Sequence, residues 1–172
     1  MRGPPATPGV PMLPHMAGGT PAIVALDRLG IVHTEHRYAH DPAAPSYGLE
    51  AASALGLPPE QVFKTLVCLI DGVAHVAIVP VHCQLDLKRA AAATGGKRAE
   101  MMQVDAAERL TGYVAGGISP FGQRKQLPTL VDESAELHDV MFVSGGRRGL
   151  DLGVAPADLI RVLRATVADI AR

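Results

Sequence analysis

One short glycine-rich segment has the composition best suited to binding a reacting group. It runs Gly116-Gly117-Ile118-Ser119-Pro120-Phe121-Gly122. Glycine permits positive φ and close approach to the main chain, while proline fixes its own φ and favours an extended residue before it. Such a loop can point several backbone N–H groups at one place, where they would stabilise the oxygen of a polarised carbonyl. The segment is consistent with acyl-transfer chemistry, although an ordinary turn between two strands has the same composition.

No residue is recognisable from its sequence context as an enzyme nucleophile. Ser119 lies outside a Gly-x-Ser-x-Gly pattern, and Ser144 has no His and Asp partners at a diagnostic spacing. Cys83 adjoins His82, but neighbouring side chains on a strand point to opposite faces. Buried structural thiols are the simpler interpretation of Cys68 and Cys83. The sequence therefore offers groups that stabilise charge without an evident nucleophile.

Three histidines, His33, His36 and His40, are close enough in sequence to raise the question of a metal site. On a strand His33 and His36 would face opposite sides, and no Cys/His cluster elsewhere in the sequence completes a tetrahedral set of ligands. We therefore expect the protein to use no metal and no cofactor.

Composition and charge limit the classes to which the chain can belong. Its 172 residues, 48% of them hydrophobic, suit one domain with a sizeable core. A net charge of -1 offers no overall attraction to nucleic acid, so RNA contacts would depend on local basic pairs, which could equally be solvated surface. These pairs are Lys88-Arg89, Lys97-Arg98, Arg124-Lys125 and Arg147-Arg148. Two cysteines, no signal peptide and no apolar run of transmembrane length lead us to expect a cytoplasmic protein.

The elements that must position the glycine-rich segment follow from local patterns. Residues 1–19 are rich in Pro and Gly and predict a disordered tail, followed by one domain over residues 20–172. Thr20-Pro21 and Gly30 are typical of a helix start and stop, and Asp71-Gly72 of a hairpin turn. Further helices are predicted at 49–55, after Asp86, after a capping box formed by Asp105 and Glu108, and at 156–163. Strands are predicted at 31–38, 65–70, 73–81, 97–102, 127–131, 140–144, 150–154 and 166–170. Hairpins alternating with helical crossovers predict an α/β or α+β domain with one mixed, strongly curved sheet.

Six motifs follow one another between Thr20 and the C-terminus. They are Tyr38-Ala39-His40-Asp41-Pro42, Val62-Phe63-Lys64-Thr65-Leu66, Gln84-Leu85-Asp86-Leu87-Lys88, Thr111-Gly112-Tyr113, Gly116 to Gly122 with Gln123-Arg124-Lys125, and Val143 to Asp151. In this combination the chain resembles the YbaK family of aminoacyl-tRNA deacylases, specifically the branch that acts on Cys-tRNA(Pro) and Cys-tRNA(Cys). The resemblance implies a sheet that closes into a partial barrel with flanking helices. Phe63 departs from the family pattern, which has Tyr before the lysine, and this removes a hydroxyl while leaving Lys64 in place.

The resemblance also implies the reaction and its residues. In these deacylases the substrate's own thiol attacks its ester carbonyl, so the protein needs to fold the substrate, hold its oxyanion and exclude water. The implied catalytic residues are Lys64, which would contact the terminal ribose or the developing negative charge, the N–H groups of Gly116 and Gly117, which would stabilise the oxyanion, and Ser119. The implied substrate-binding residues are Tyr38, Thr65, Ser144 and Asp151, with Asp151 or Ser144 holding the α-amino group.

The implied partners are the aminoacylated acceptor end of tRNA and prolyl-tRNA synthetase, with no membrane. Cysteine and proline have similar volumes, and a difference of about one methylene yields only ~1 to 3 kcal/mol, so the synthetase mischarges and a second enzyme must clear the error. The alternative hypothesis is a non-catalytic module that binds tRNA ends or a synthetase. A freestanding chain that keeps Lys64 and both glycine-rich turns favours the enzyme.

Overall fold

The computed structural model describes residues 19–172, so most of the predicted tail, residues 1–18, lies outside the described residues. The α-helices in the described part are α1 (Pro21–Leu29), α2 (Tyr47–Leu55), α3 (Leu87–Ala93), α4 (Val104–Thr111) and α5 (Pro156–Leu163), with single 3-10 turns at Pro59–Gln61 and Glu133–Leu137. The strands are β1 (His33–Arg37), β2 (Phe63–Ile70), β3 (Val73–Pro80), β4 (Ala99–Met101), β5 (Thr129–Asp132), β6 (Met141–Arg147), β7 (Leu150–Val154) and β8 (Thr166–Ala168). No helix within residues 19–172 is long and apolar enough to cross a membrane.

Several helix ends lie where local chemistry predicts them. Thr20 Oγ1 accepts a hydrogen bond from Ile23 N at 3.3 Å, and Gly30 ends α1 with φ 68°. The predicted Asp105/Glu108 capping box is wrong, because α4 begins at Val104 without a side-chain cap. Glu108 Oε2 instead accepts from Ala115 N at 2.8 Å, so this carboxylate fixes the chain just before the glycine-rich segment.

The strands form two sheets in the described part of the chain, not the single sheet predicted. One has the order β4-β2-β3-β5-β8 with parallel and antiparallel pairs, and the other is the antiparallel set β1-β7-β6. The sequence-distant strand β1 pairs with β7, and this pairing gives the β6–β7 hairpin a sheet of its own. A single bridge between Val62 and Phe142 joins the two sheets. The mixed α/β class is confirmed, and closure into a partial barrel stays a prediction.

The central hairpin β2–β3 is buried on both faces. Val76 and Ile78 belong to the larger apolar cluster, with Phe63, Phe121 and Met141, whereas the alternate residues Ala77 and Val79 belong to a second cluster. Side chains of a strand alternate between faces, so this pattern places one apolar layer on each side of the hairpin. The start of β2 is therefore held firmly, and with it the two residues Lys64 and Thr65.

Candidate active site

A cavity of about 270 Å³ opens where β2 begins, between α2, the glycine-rich segment and the β6–β7 hairpin. Its lining residues are Tyr38, Pro45, Ser46, Tyr47, Gly48, Ala51, Val62, Phe63, Lys64, Thr65, Leu66, Val81, Gly116, Ile118, Ser144 and Asp151. The structure thus brings together six predicted site residues, namely Tyr38, Lys64, Thr65, Gly116, Ser144 and Asp151. Residues from four distant parts of the sequence meet at this one cavity.

Gly117 and Ser119, two of the predicted site residues, do not line this cavity. The N–H of Gly117 already donates to Val114 O at 2.9 Å, so it is not available to an oxyanion. The side chain of Ser119 is fully buried, and its Oγ accepts from Phe121 N at 3.3 Å. Tyr113 Oη also donates to Phe121 O, at 2.6 Å. These hydrogen bonds hold the glycine-rich segment in shape, and the structure does not bring Gly117 and Ser119 together with the other predicted site residues.

Asp151 and Ser144 lie directly opposite each other on the antiparallel strands β7 and β6. Directly opposed residues in such a pair point to the same face, which here is the cavity face. Asp151 is only 5% exposed, and burial raises the pKa of its carboxyl to about 7. Ser144 Oγ accepts from Gly146 N at 3.3 Å. A buried carboxylate at this position would attract a cationic group such as an α-ammonium, because charge interactions strengthen away from water.

Lys64 and Thr65 bring a cation and an unpaired hydroxyl to the cavity. Burial lowers the pKa of Lys64, an effect partly opposed by Cys83 nearby. Thr65 is 9% exposed, and its Oγ1 is the one buried side-chain polar atom of the described residues that has no hydrogen-bond partner. A buried hydroxyl left unpaired costs about 1–3 kcal/mol. Its position on the cavity wall makes it a hydrogen-bonding group for a ligand.

Gly116 brings the main chain itself to the cavity. Its φ of 81° is the left-handed conformation that favours glycine, and an added Cβ would lie 2.5 Å from Tyr47 Cγ. Within residues 19–172, neither the N–H of Gly116 nor that of Ile118 has a hydrogen-bond partner, and both residues line the cavity. Two unpaired N–H groups from residues of a cavity that Lys64 also lines are suited to stabilise a developing oxyanion.

Tyr47 had no predicted role, whereas Arg148, which lies against its ring, was considered only as part of a basic pair that could contact RNA. Tyr47 is the first residue of α2 and lines the cavity, and the Cζ atom of Arg148 lies 4.8 Å from the centre of its ring. The predicted helix begins two residues later, at Leu49, so Tyr47 received no role. An available signal was the rarity of aromatic residues, which are 3% of the chain.

The two cysteines lie outside the cavity lining. Cys68 is fully buried, and burial raises the pKa of its thiol to about 11. The expectation that Cys83 and His82 point apart is wrong: they lie beyond the end of β3, and Cys83 Sγ is 3.5 Å from His82 Nε2. Burial nevertheless raises the pKa of Cys83, with a further contribution from Asp132, which opposes formation of a reactive thiolate.

The three histidines considered for a metal site have separate partners. His33 Nδ1 lies 2.8 Å from Ile31 O, and His36 Nε2 lies 2.8 Å from Thr34 Oγ1. His40 Nδ1 lies 2.9 Å from Glu50 Oε2. Within residues 19–172, no group of three or more His, Cys, Asp or Glu side chains is arranged to hold a metal ion.

Taken together, the cavity lining offers a buried carboxyl, an unpaired hydroxyl, a lysine and unpaired main-chain N–H groups, a set suited to the ammonium and the polarised carbonyl of a small aminoacyl ester. The family model of the aminoacyl-tRNA editing domain matches residues 41–162. The chain belongs to the aminoacyl-tRNA editing domain family, which confirms the family resemblance seen in its motifs.

Relatives of the chain support this assignment. EbsC of Enterococcus faecalis (strain ATCC 700802 / V583), named as a candidate Cys-tRNA(Pro)/Cys-tRNA(Cys) deacylase, is 38% identical over 120 residues, or 69% of this chain and 73% of EbsC. A crystal structure of a candidate trans-editing enzyme for prolyl-tRNA synthetase has a TM-score of 0.73 and 28% identity, covering 87% of this chain and 93% of that one. A scaffold protein designed to present linear epitopes has a TM-score of 0.74 and 28% identity, covering 88% of this chain and 95% of that one.

Proposed function

We propose that the protein is a trans-editing hydrolase that deacylates Cys-tRNA(Pro), and also Cys-tRNA(Cys), in the cytoplasm. Membership of the editing-domain family supports hydrolysis of an aminoacyl ester. The names of EbsC and of the trans-editing structure support cysteine as the amino acid and prolyl-tRNA synthetase as the enzyme whose errors are corrected. The acceptor end of the charged tRNA is the partner that enters the cavity.

The observation that carries the proposal is a cavity rich in charge-stabilising groups and poor in nucleophiles. Lys64, Thr65 and Asp151 line it, whereas Cys68 and Cys83 do not. Ser46 and Ser144 do line it, but no histidine is among the lining residues to take a proton from either hydroxyl. A substrate that brings its own nucleophile fits this arrangement, and the cysteine thiol is such a group.

The reaction then proceeds within the substrate. The cysteine sulfur attacks the ester carbonyl carbon, and the carbonyl oxygen becomes an oxyanion that the N–H of Gly116 and the charge of Lys64 stabilise. The carbon–oxygen bond to the terminal ribose breaks, and the ribose oxygen takes up the proton that the thiol lost. The four-membered thiolactone of cysteine leaves and is hydrolysed by water to cysteine. Holding the thiol against the carbonyl supplies the orientation part of the rate enhancement.

Asp151 and Thr65 fix the aminoacyl group for this attack. The carboxylate of Asp151 binds the α-ammonium, and the unpaired hydroxyl of Thr65 bonds a polar atom of the aminoacyl ester. Both side chains are nine-tenths or more buried, so a ligand that reaches them has left most of its water behind. The cavity volume of about 270 Å³ leaves room for a small amino acid and part of a ribose.

The test is single-turnover deacylation of Cys-tRNA(Pro) and Ser-tRNA(Pro), which differ in one atom of the acyl group. We expect rapid release of cysteine and at least about 100-fold slower release of serine, because a hydroxyl is a much poorer nucleophile than a thiol at neutral pH. Equal rates on the two substrates would contradict thiol assistance. Tight binding of both charged tRNAs without turnover would instead support the non-catalytic binding module.

A further inference from the structure

An aromatic ring at the mouth of the cavity has no part in the proposed reaction. Tyr47 is 40% exposed although it lines the cavity, whereas Tyr113 is buried. Ser46 caps α2, its Oγ accepting from Leu49 N at 3.3 Å, and so fixes the backbone from which Tyr47 extends. The residue is therefore fixed at its backbone and remains partly exposed.

The glycine-rich segment supports this ring from one side. A Cβ built on Gly116 would lie 2.5 Å from Tyr47 Cγ and 2.7 and 2.8 Å from its two Cδ atoms. Such similar distances to both sides of the ring place Gly116 over its face and not at its edge. The ring of His40 also contacts Tyr47, with 5.9 Å between the ring centres. Contact with Gly116 sets the ring directly beside the N–H group proposed to bind the oxyanion.

Arg148 adds a planar cation to the same surface. Its Cζ lies 4.8 Å from the centre of the Tyr47 ring, and its Nε donates to Ala115 O at 2.9 Å. Neither terminal nitrogen of this guanidinium has a hydrogen-bond or ion-pair partner within residues 19–172, and the residue is exposed. The side chain is thus oriented by the protein through one nitrogen, with two left to bind a ligand.

We propose that Tyr47 and Arg148 form a stacking subsite for the terminal adenine of the acceptor end. This inference rests on the proposed function. Single-stranded nucleotides are held by stacking of bases on aromatic rings and guanidinium planes, with phosphate contacts from arginine. The Tyr47 ring and the Arg148 guanidinium, with its two unpaired terminal nitrogens, provide this combination of contacts at one place.

The position of the subsite matches the geometry of an aminoacylated terminal nucleoside. The base and the acyl group are attached to the same ribose, so they must bind within one nucleoside of each other. The acyl group enters towards the buried side chains of Thr65 and Asp151, and Gly116 contacts the Tyr47 ring. The adenine therefore lies at the mouth, next to the reacting ester.

The first test compares two esters of cysteine, 3′-O-cysteinyl adenosine and cysteine ethyl ester, and measures kcat/KM for each. The ratio of the two values isolates the contribution of the nucleoside. We expect Tyr47→Leu to lower this ratio by about 5- to 150-fold, the range that base stacking on an aromatic side chain gives. Tyr47→Phe keeps the ring and is the matched control that should retain the ratio. Arg148→Met should lower it as well.

The outcomes separate this inference from the proposed function. If wild-type protein hydrolyses neither ester nor Cys-tRNA(Pro), the proposed function fails. If it hydrolyses them and Tyr47→Leu leaves the ratio unchanged, the function stands and the subsite is overturned. Equal losses on both esters would also overturn the subsite, because Tyr47 would then act only by ordering the Gly116 segment.

A binding measurement gives a second, independent readout. The chain contains no tryptophan, so Tyr47→Trp introduces a single indole at the subsite. We expect its fluorescence to be quenched by an uncharged tRNA minihelix that ends in adenosine, and not by the same minihelix with an abasic terminal nucleotide. Equal quenching by both would show that the ring does not contact the base and would overturn the proposal. Quenching by prolyl-tRNA synthetase alone would assign this surface to a protein partner.

Discussion

Negative charge on Asp151 acts on the phenol of Tyr38 across the cavity. Burial raises the pKa of Tyr38, and the carboxylate of Asp151 is the next largest cause of that shift. Both residues line the cavity, and Tyr38 N donates to Gly149 O at 3.0 Å, one residue before β7. The two groups therefore interact electrostatically, and the charge of Asp151 adds to the effect of burial in raising the pKa of Tyr38.

We expect deacylation to increase as the pH rises through about 7. Burial raises the pKa of Asp151 to about 7, and only the ionised carboxylate attracts the α-ammonium of the substrate. In the wild type, kcat/KM should rise with pH through about 7. In Asp151→Asn this rise should be absent, and the variant should also be much less active. If kcat/KM of Asp151→Asn still rose through about pH 7, the titration would belong to another group.

The same carboxyl makes the fold less stable as the pH rises. Its pKa is near 3.8 in the unfolded chain and about 7 in the folded one, so stability falls between these values and levels off above them. A pKa difference of about 3 between the two states, at ~1.4 kcal/mol for each unit, corresponds to a decrease in the free energy of unfolding on the order of 4 kcal/mol. Thermal unfolding should show Asp151→Asn to be more stable than wild type at about pH 8, with little difference at about pH 4. Asp139→Asn, a substitution of an exposed aspartate, is the matched control.

Lys64→Ala should reduce deacylation by at least about 100-fold, because it removes a positive charge beside the oxyanion. The side chain is only half-buried and contributes little to the core, so the melting temperature should change by no more than a few degrees. Single-turnover rates on Cys-tRNA(Pro) provide the measurement. Arg28→Ala, which removes an exposed cation of α1 outside the four basic pairs, is the control. Full activity in the folded Lys64→Ala protein would remove this residue from the mechanism.

Cys68→Ala, Cys83→Ala and Ser119→Ala should each retain more than about a tenth of wild-type activity. None of the three lines the cavity, and Cys68 and Ser119 are fully buried. Cys83→Ala is the most demanding of these tests, because Cys83 is the thiol in contact with a histidine nitrogen. A covalent acyl-enzyme on any of these side chains, detected by mass spectrometry, would return the nucleophile to the protein.

Gly116→Ala should impair both stability and deacylation. The new Cβ would meet the Tyr47 ring at 2.5 Å, and φ of 81° is unfavourable for alanine. Gly95→Ala separates the two effects, since Gly95 has φ 73° and open space around its Cβ position. It should cost about 1 kcal/mol from strain alone and leave the reaction intact. Similar activities in the two variants would show that Gly116 has no special place in the site.

Local chemistry in the sequence was sufficient to predict most elements of the fold. Thr20, Gly30 and the Asp71-Gly72 turn each act through neighbours only a few residues away, and the structure confirms all three. The division into two sheets could not be predicted in this way. It depends on β1 choosing β7 as its partner, more than a hundred residues later, and alternating patterns do not specify a partner.

The candidate site shows the same contrast. Motifs identified Lys64, Thr65 and Asp151, which lie on strands whose side-chain directions follow from the pleat. In the glycine-rich segment no such rule applies, because glycine leaves φ and ψ open. The sequence therefore did not reveal that the N–H of Gly117 would bond to Val114 O and leave that of Gly116 unpaired.

The pairing of β1 with β7 extends the folding unit beyond the region that the family model matches. The family match spans residues 41–162, yet His36 on β1 is the partner of Asp151 in the sheet. A fragment cut to the matched region would turn the strand that carries Asp151 into an open edge, with unpaired backbone groups and a route for water to the carboxylate. A portable version of this editing module must therefore begin before β1.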